Sequence, residues 1–215
     1  MKIVCDDKIP FLKGVFEPYA NVLYLPGADI SHSDLMDADA LIVRTRTRCD
    51  RSLLEGTKLR IVASATIGID HIDTAWCEKN GILWANAPGC NAGSVCQWVG
   101  STLFALSHRL GLDLRGQTLG IVGVGNVGSK VARLANTLGM ETMLCDPPRA
   151  EIEGLEDYVS LDELIIKSDI ITIHTPLSVQ TFHLFDSKRL STMNNSQILI
   201  NSARGEIVDG AALKY

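Results

Sequence analysis

The stretch that most constrains this chain is residues 119–146, LGIVGVGNVGSKVARLANTLGMETMLCD. It reads as an apolar strand, a glycine turn from Gly123 to Gly128, an amphipathic helix to about Leu138 and a second strand ending on an acid. Gly123 lets the chain leave the strand sharply, Gly125 removes the side chain that would hold a ligand off the backbone, and Gly128 allows close helix–strand packing. The amides of Gly125, Asn126 and Val127 then open a helix, where unpaired N–H groups and a dipole worth about half a charge favour an anion. Asp146 follows near the spacing of about 20 residues expected of a carboxylate that accepts from ribose hydroxyls. This pattern predicts a dinucleotide site. The carboxylate would repel a 2′-phosphate, which favours NAD over NADP, while Arg149 close behind is the one residue that speaks for the phosphate.

Ahead of this unit, short apolar runs at 2–6, 21–25, 40–44, 59–65 and 81–85 alternate with helical or turn stretches at 33–36, 50–55 and 74–80. Strands of that length separated by helices predict parallel strands joined by crossover helices. Ala87-Pro88-Gly89 stops the chain, and an apolar segment at 92–108, too long for a strand, predicts a helix linking two domains. After Asp146 the expected order is a Pro147-Pro148 turn, a polar loop, a helix at 161–167, a strand at 170–174, a helix at 187–193, a strand at 197–201 and the start of a helix at Gly210. The fold class is therefore α/β, with two doubly wound parallel-sheet domains of Rossmann or flavodoxin type: residues 1–90 for substrate and residues 91–215 for NAD. From residue 119 onward only four strands are counted, against about six in a complete doubly wound domain, so a further stretch after Tyr215 is expected.

With 46% hydrophobic residues, 215 residues suffice for a packed core. A formal net charge of −5 and the lack of a Lys/Arg-rich run argue against nucleic acid as a partner, and MKIVCDDKIP is neither a signal peptide nor a membrane span. The cysteines Cys5, Cys49, Cys77, Cys90, Cys96 and Cys145 show no CxxC and no Cys/His ligand spacing, so no metal site and no disulfide framework are expected. They read as reduced thiols of a cytoplasmic protein. Cys90 stands near a helix start, where a thiol can be activated, but packing is its default role.

In open α/β sheets ligands bind beyond the carboxyl ends of the strands, so chemistry is sought there. Arg44-Thr45-Arg46-Thr47-Arg48 places three guanidiniums ahead of a helix whose positive end disfavours them; either an anion is held there or the loop is simply solvated. Thr66-Ile67-Gly68-Ile69-Asp70 offers a hydroxyl and turn amides as a second anion site. In Asn201-Ser202-Ala203-Arg204-Gly205, Arg204 is placed to hold a carboxylate through two parallel hydrogen bonds and polarise a neighbouring carbonyl; its structural alternative is an ion pair with Glu206. His174, at a strand end before Thr175-Pro176, reads as a packing or hydrogen-bonding residue rather than an acid–base group, and His71 as a local partner of Asp70 and Asp73.

Taken together, ATIGIDHID at 65–73, APGCNA at 87–92, GIVGVGNVG at 120–128, LCDPPR at 144–149, His174-Thr175-Pro176 and NSARG at 201–205 resemble the D-isomer-specific 2-hydroxyacid dehydrogenase family over essentially the whole chain. The resemblance implies NAD-dependent oxidation of a small phosphorylated 2-hydroxy acid. It puts Arg204 on the substrate carboxylate and carbonyl, Thr45 and Thr66 on substrate, and Asp146, Thr175, Ser202, Ala203 and Arg204 around NAD. It further implies a histidine–glutamate acid–base pair and a dimer-forming portion, both expected after Tyr215, and hence a homodimer at full length. Gln97, where the family usually carries a glutamate, and Ser202-Ala203 depart from the pattern. A family member acting on another phosphorylated acid would share every cofactor residue, and a non-catalytic NAD-sensing protein would keep the fold.

Overall fold

The computed structural model describes residues 1–154 and 157–214, and the chain divides into two compact units, Met1–Cys90 and Asn91–Tyr215. In the first unit β1 (Lys2–Asp6), β2 (Asn21–Leu25), β3 (Ala40–Val43), β4 (Ile61–Ser64) and β5 (Leu83–Ala85) pair in parallel in the order β2-β1-β3-β4-β5. That is the flavodoxin-like order, which reverses between β1 and β3. Alternate side chains serve opposite faces. Val4, Leu41, Val43 and Val62 share one cluster with residues of α1 (His32–Leu35), α2 (Arg51–Leu54) and α3 (Thr74–Lys79); Ile3, Cys5 and Ala40 share another with Leu12, Phe16 and Ala20. The short helices start on side-chain caps, Asp50 accepting from Ser52 N–H and Asp73 from Trp76 N–H.

One crossover departs from expectation. Between β1 and β2 there is no helix, because Pro10, Gly14 and Pro18 interrupt every turn that could form one. The segment instead winds through turns and still delivers Leu12, Phe16 and Ala20 to the sheet.

In the second unit β6 (Thr118–Val122), β7 (Glu141–Cys145), β8 (Ile170–Ile173) and β9 (Ile198–Asn201) form a parallel sheet in the order β7-β6-β8-β9. Both faces are covered. Val99 and Leu103 of α4 (Ala92–Leu110) and Val131 and Ala135 of α5 (Gly128–Thr137) pack with Leu119, Ile121, Ile170 and Ile200. On the other face Leu164 and Ile165 of α7 (Leu161–Lys167) join Val122, Ile171, Ile173 and Phe185, with Leu190 of α8 (Ser187–Thr192) at the margin. The segment after Asp146 is not the expected turn and polar loop but a helix, α6 (Pro147–Glu153): Asp146 caps it by accepting from Arg149 N–H, and the two prolines occupy first-turn positions where an absent N–H costs nothing. Near the end, the helix expected from Gly210 is a 3₁₀ turn, Ala212–Lys214. Helix α4 runs to Leu110 and stops at Gly111, whose φ of 64° is left-handed. Among the described residues no helix is long and apolar enough to cross a membrane.

Gly120, in the middle of β6, sets how closely α7 lies on the sheet: a Cβ there would stand 2.4 Å from Ser168 Oγ and 2.5 Å from Leu164 Cδ2. Gly120→Ala should therefore destabilise the second unit by about 1–3 kcal/mol, the usual cost of overpacking a core. A urea midpoint equal to the parent's would mean that α7 shifts freely.

Candidate functional site

The glycine turn divides its work among three positions. Gly123 adopts φ 87°, and a Cβ on it would lie 2.8 Å from the backbone of His174 and Thr175, so β6 ends hard against the end of β8. A Cβ on Gly128 would come within 2.0 Å of the Gly123 carbonyl oxygen, so α5 begins directly on the strand it follows. A Cβ on Gly125, by contrast, would meet nothing within 4 Å beyond its chain neighbours. That open space is the room a pyrophosphate needs. Among the described residues the amides of Gly125, Asn126 and Val127 donate to no protein acceptor, which leaves unpaired donors at the start of a helix of 10 residues.

Asp146 is tied to that turn, its Oδ2 accepting from Val124 N–H at 2.7 Å while Oδ1 caps α6. Each carboxylate oxygen keeps a lone pair for a hydroxyl. Arg149 does not reach outward. Its Nε donates to Glu153 Oε1 at 2.6 Å and its Nη1 to the Val124 carbonyl.

At the ends of β8 and β9 a second cluster forms. His174 Nε2 shares a hydrogen bond with Thr172 Oγ1 at 3.0 Å, and Nδ1 one with Ser202 Oγ at 3.1 Å. Burial pushes this imidazole down to about 4, so it is neutral near pH 7 and acts as a hydrogen-bonding residue. Asn201 brackets the following turn, its Oδ1 accepting from Ala203 N–H at 3.0 Å and its Nδ2 donating to the Arg204 carbonyl at 2.8 Å. Gly123 to Gly128, Asp146, Thr175 and Ser202 to Arg204 thus share the carboxyl edge of one sheet.

The first unit has its own carboxyl edge. Val43 pairs with Ser64 across β3 and β4, so Thr45 and Thr66 follow neighbouring strand ends in register. The three guanidiniums nearby do not all meet. Arg44 donates weakly to the Lys8 carbonyl at 3.3 Å, whereas Arg46 and Arg48, the latter paired with Asp50 at 3.1 Å, line one open cavity of about 430 Å³ with His32 and Ser52. Thr47 turns inward and donates to the Gly27 carbonyl at 2.7 Å. Thr66 Oγ1 shares a hydrogen bond with Ser64 Oγ at 2.7 Å, and His71 Nε2 meets the same hydroxyl at 3.2 Å. Cys90 is exposed, so it does not take the packing role expected of it, whereas burial holds the Cys5 and Cys145 thiols up at about 11 and Cys49 at about 12.

Residues 93–215 match the family model for the D-isomer specific 2-hydroxyacid dehydrogenase, NAD binding domain. The chain belongs to the D-isomer specific 2-hydroxyacid dehydrogenase family. It is 49% identical over 218 aligned residues to an erythronate-4-phosphate dehydrogenase of Bacteroides fragilis (strain YCH46), an alignment covering 99% of this chain and 63% of that protein. The chain thus spans less than two thirds of that relative's length. Among solved structures it is similar to a D-lactate dehydrogenase from Aquifex aeolicus complexed with NAD and lactic acid, with a TM-score of 0.87 and 27% identity over 99% of this chain and 72% of that one. A cofactor (NAD⁺) bound 3-phosphoglycerate dehydrogenase of Entamoeba histolytica gives a TM-score of 0.86 and 28% identity over 99% of this chain and 75% of that one.

Sequence reading treated His174 in isolation, and it missed both the Thr172 and Ser202 partners and the Asn201 bracket. Only the departure at Ser202 hinted at them. Because burial lowers the folded-state value of His174 below that of the unfolded chain, the unfolded state binds a proton first as pH falls. Stability contributed at neutral pH is therefore lost between about pH 6.5 and 4. The His174 ring resonances should stay those of a neutral imidazole at pH 6; an NMR titration with a midpoint near 6.5 would contradict the burial argument.

Proposed function

We propose that the full-length protein is an NAD-dependent dehydrogenase that oxidises the C2 hydroxyl of 4-phospho-D-erythronate to 2-oxo-3-hydroxy-4-phosphobutanoate, a step of pyridoxal 5′-phosphate biosynthesis. The observation that carries this reading is the 49% identity, across 99% of the chain, to a relative of that name. The likeness to a 3-phosphoglycerate dehydrogenase is at 28% identity, which favours the four-carbon acid over the three-carbon one. Assays of both phosphorylated acids separate the two. A homodimer in the cytoplasm is part of the same reading.

NAD supplies a hydride acceptor when bound. The amides of Gly125, Asn126 and Val127 would hold its pyrophosphate, with Gly123 and Gly128 setting the turn. Asp146 would accept from the adenosine ribose, and Thr175, Ser202 and Ala203 would border the cofactor. Arg204 would clamp the substrate carboxylate and polarise the carbonyl as it forms, while Arg44, Thr45 and Thr66 would contact the phosphorylated acid. His174 is not assigned the proton transfer, because both of its ring nitrogens are occupied and burial, which pushes it down to about 4, makes it a poor proton acceptor.

A carboxylate at Asp146 facing a 2′-phosphate would repel it, and Arg149, bonded to Glu153 and Val124, does not offset that repulsion. NAD should bind much more tightly than NADP, and Asp146→Ala should lose part of the preference; equal affinities of the parent protein in a titration would sink the assignment. Arg204→Lys keeps the charge but loses the planar fork. In the full-length enzyme it should cost roughly 2–4 kcal/mol in kcat/KM, on the scale of one preorganised donor, with a smaller change in NAD affinity. Near-normal kcat/KM with collapsed NAD affinity would make Arg204 a cofactor residue instead.

A further inference from the structure

Thr172 is the one polar residue of β8, and it is completely buried. Nothing in its strand position calls for a hydroxyl, since valine or isoleucine fills such a site with the same branching. A buried hydroxyl without a partner is costly, and this one has its partner in His174. The imidazole in turn has its second partner in Ser202, which lies 28 residues further on and begins the turn that presents Arg204. The backbone of His174 is fixed as well, its N–H donating to the Val122 carbonyl at 2.7 Å. A continuous hydrogen-bonded path therefore runs from the interior of β8 to the residue two places before Arg204.

We infer that Thr172, His174 and Ser202 form a positioning brace that sets where Arg204 is held. This rests on Arg204 being the residue that orients the substrate. The Asn201 bracket fixes the shape of the turn from within, through Ala203 N–H and the Arg204 carbonyl. The β8–β9 ladder, in which Ile173 pairs with Asn201, places the start of the turn beside β8; the brace adds a side-chain restraint one residue further on, at Ser202, anchored in a rigid strand. Thr172 is a positioning residue, because it is enclosed in the sheet and reaches the site only through His174.

The test uses the full-length enzyme, Thr172→Val, which deletes the hydroxyl and keeps the shape, and Thr172→Ser, which keeps the hydroxyl. Thr172→Val should lower kcat/KM for 4-phospho-D-erythronate on the order of tenfold, within what a misplaced substrate-positioning group costs. Its NAD affinity should move by less than about threefold, as expected of a loss confined to substrate orientation. Thr172→Ser should restore the parent value. In an Arg204→Lys background Thr172→Val should have little further effect, since residues acting through one group are not additive. The brace is overturned if Thr172→Val matches the parent, if Thr172→Ser is as impaired as Thr172→Val, or if the losses from Thr172→Val and Arg204→Lys simply multiply. Arg204→Lys with parental kcat/KM would instead remove the substrate-orienting role of Arg204 and the brace's target with it; an impaired Arg204→Lys beside an unimpaired Thr172→Val rejects the brace alone.

Discussion

The close approach of Gly128 to the Gly123 carbonyl is the constraint from which the cofactor half of the structure follows. With a side chain at Gly128 the start of α5 would be pushed off the end of β6, because the atom in the way is backbone and cannot rotate aside. Held there, the helix aims its unpaired amides at the space over Gly125. The same geometry brings Val124 N–H onto Asp146, which ties the turn to the end of β7, and Asp146 then starts α6. One contact between two glycines thus sets the direction of a helix dipole, the place of a carboxylate and the origin of a second helix.

Arg149, three residues after Asp146, has the hydrogen bonds of its guanidinium turned elsewhere. Arg149 is the nearest cation in sequence, and its guanidinium is engaged by Glu153 and by the Val124 carbonyl. Glu153 also accepts from Tyr158 Oη at 2.8 Å, and the Tyr158 hydroxyl and the Arg149 guanidinium together hold its carboxyl below the usual range. Ion pairs this exposed add little to stability. Their effect here is on orientation: they turn a positive group, which would welcome a 2′-phosphate, back against the protein's own backbone.

Much of the fold was legible because its signals are local. Apolar runs bounded by turn residues marked every strand to within about two residues, and the spacing of Gly123, Gly125, Gly128 and Asp146 carried the cofactor unit. What escaped reading depended on competition between local signals or on distant partners. Asp146-Pro147-Pro148 looks like a turn, yet an acid followed by two prolines also begins a helix, and the cap on Arg149 N–H decides for the latter. In the segment between β1 and β2 the apolar spacing of Leu12, Phe16 and Ala20 suits a helix, and Pro10, Gly14 and Pro18 override it. The Arg44 to Arg48 run reads as one anion site, but the segment is a turn rather than a strand, and it sends Arg44 to the Lys8 carbonyl while Arg46 and Arg48 line a cavity together.

The neutral state of His174 bears on how Arg204 can work. An imidazole between two hydroxyls donates from one nitrogen and accepts at the other, and either hydroxyl can take either role. The bridge therefore needs no charge. A protonated histidine in its place would set a second cation beside Ser202, two residues before Arg204, where it would compete for the carboxylate that we propose Arg204 holds. Burial removes that competitor, leaving a rigid link that adds no field of its own. On the function proposed above, the positive charge that meets the substrate is then that of Arg204, where a planar fork gives it direction as well as strength.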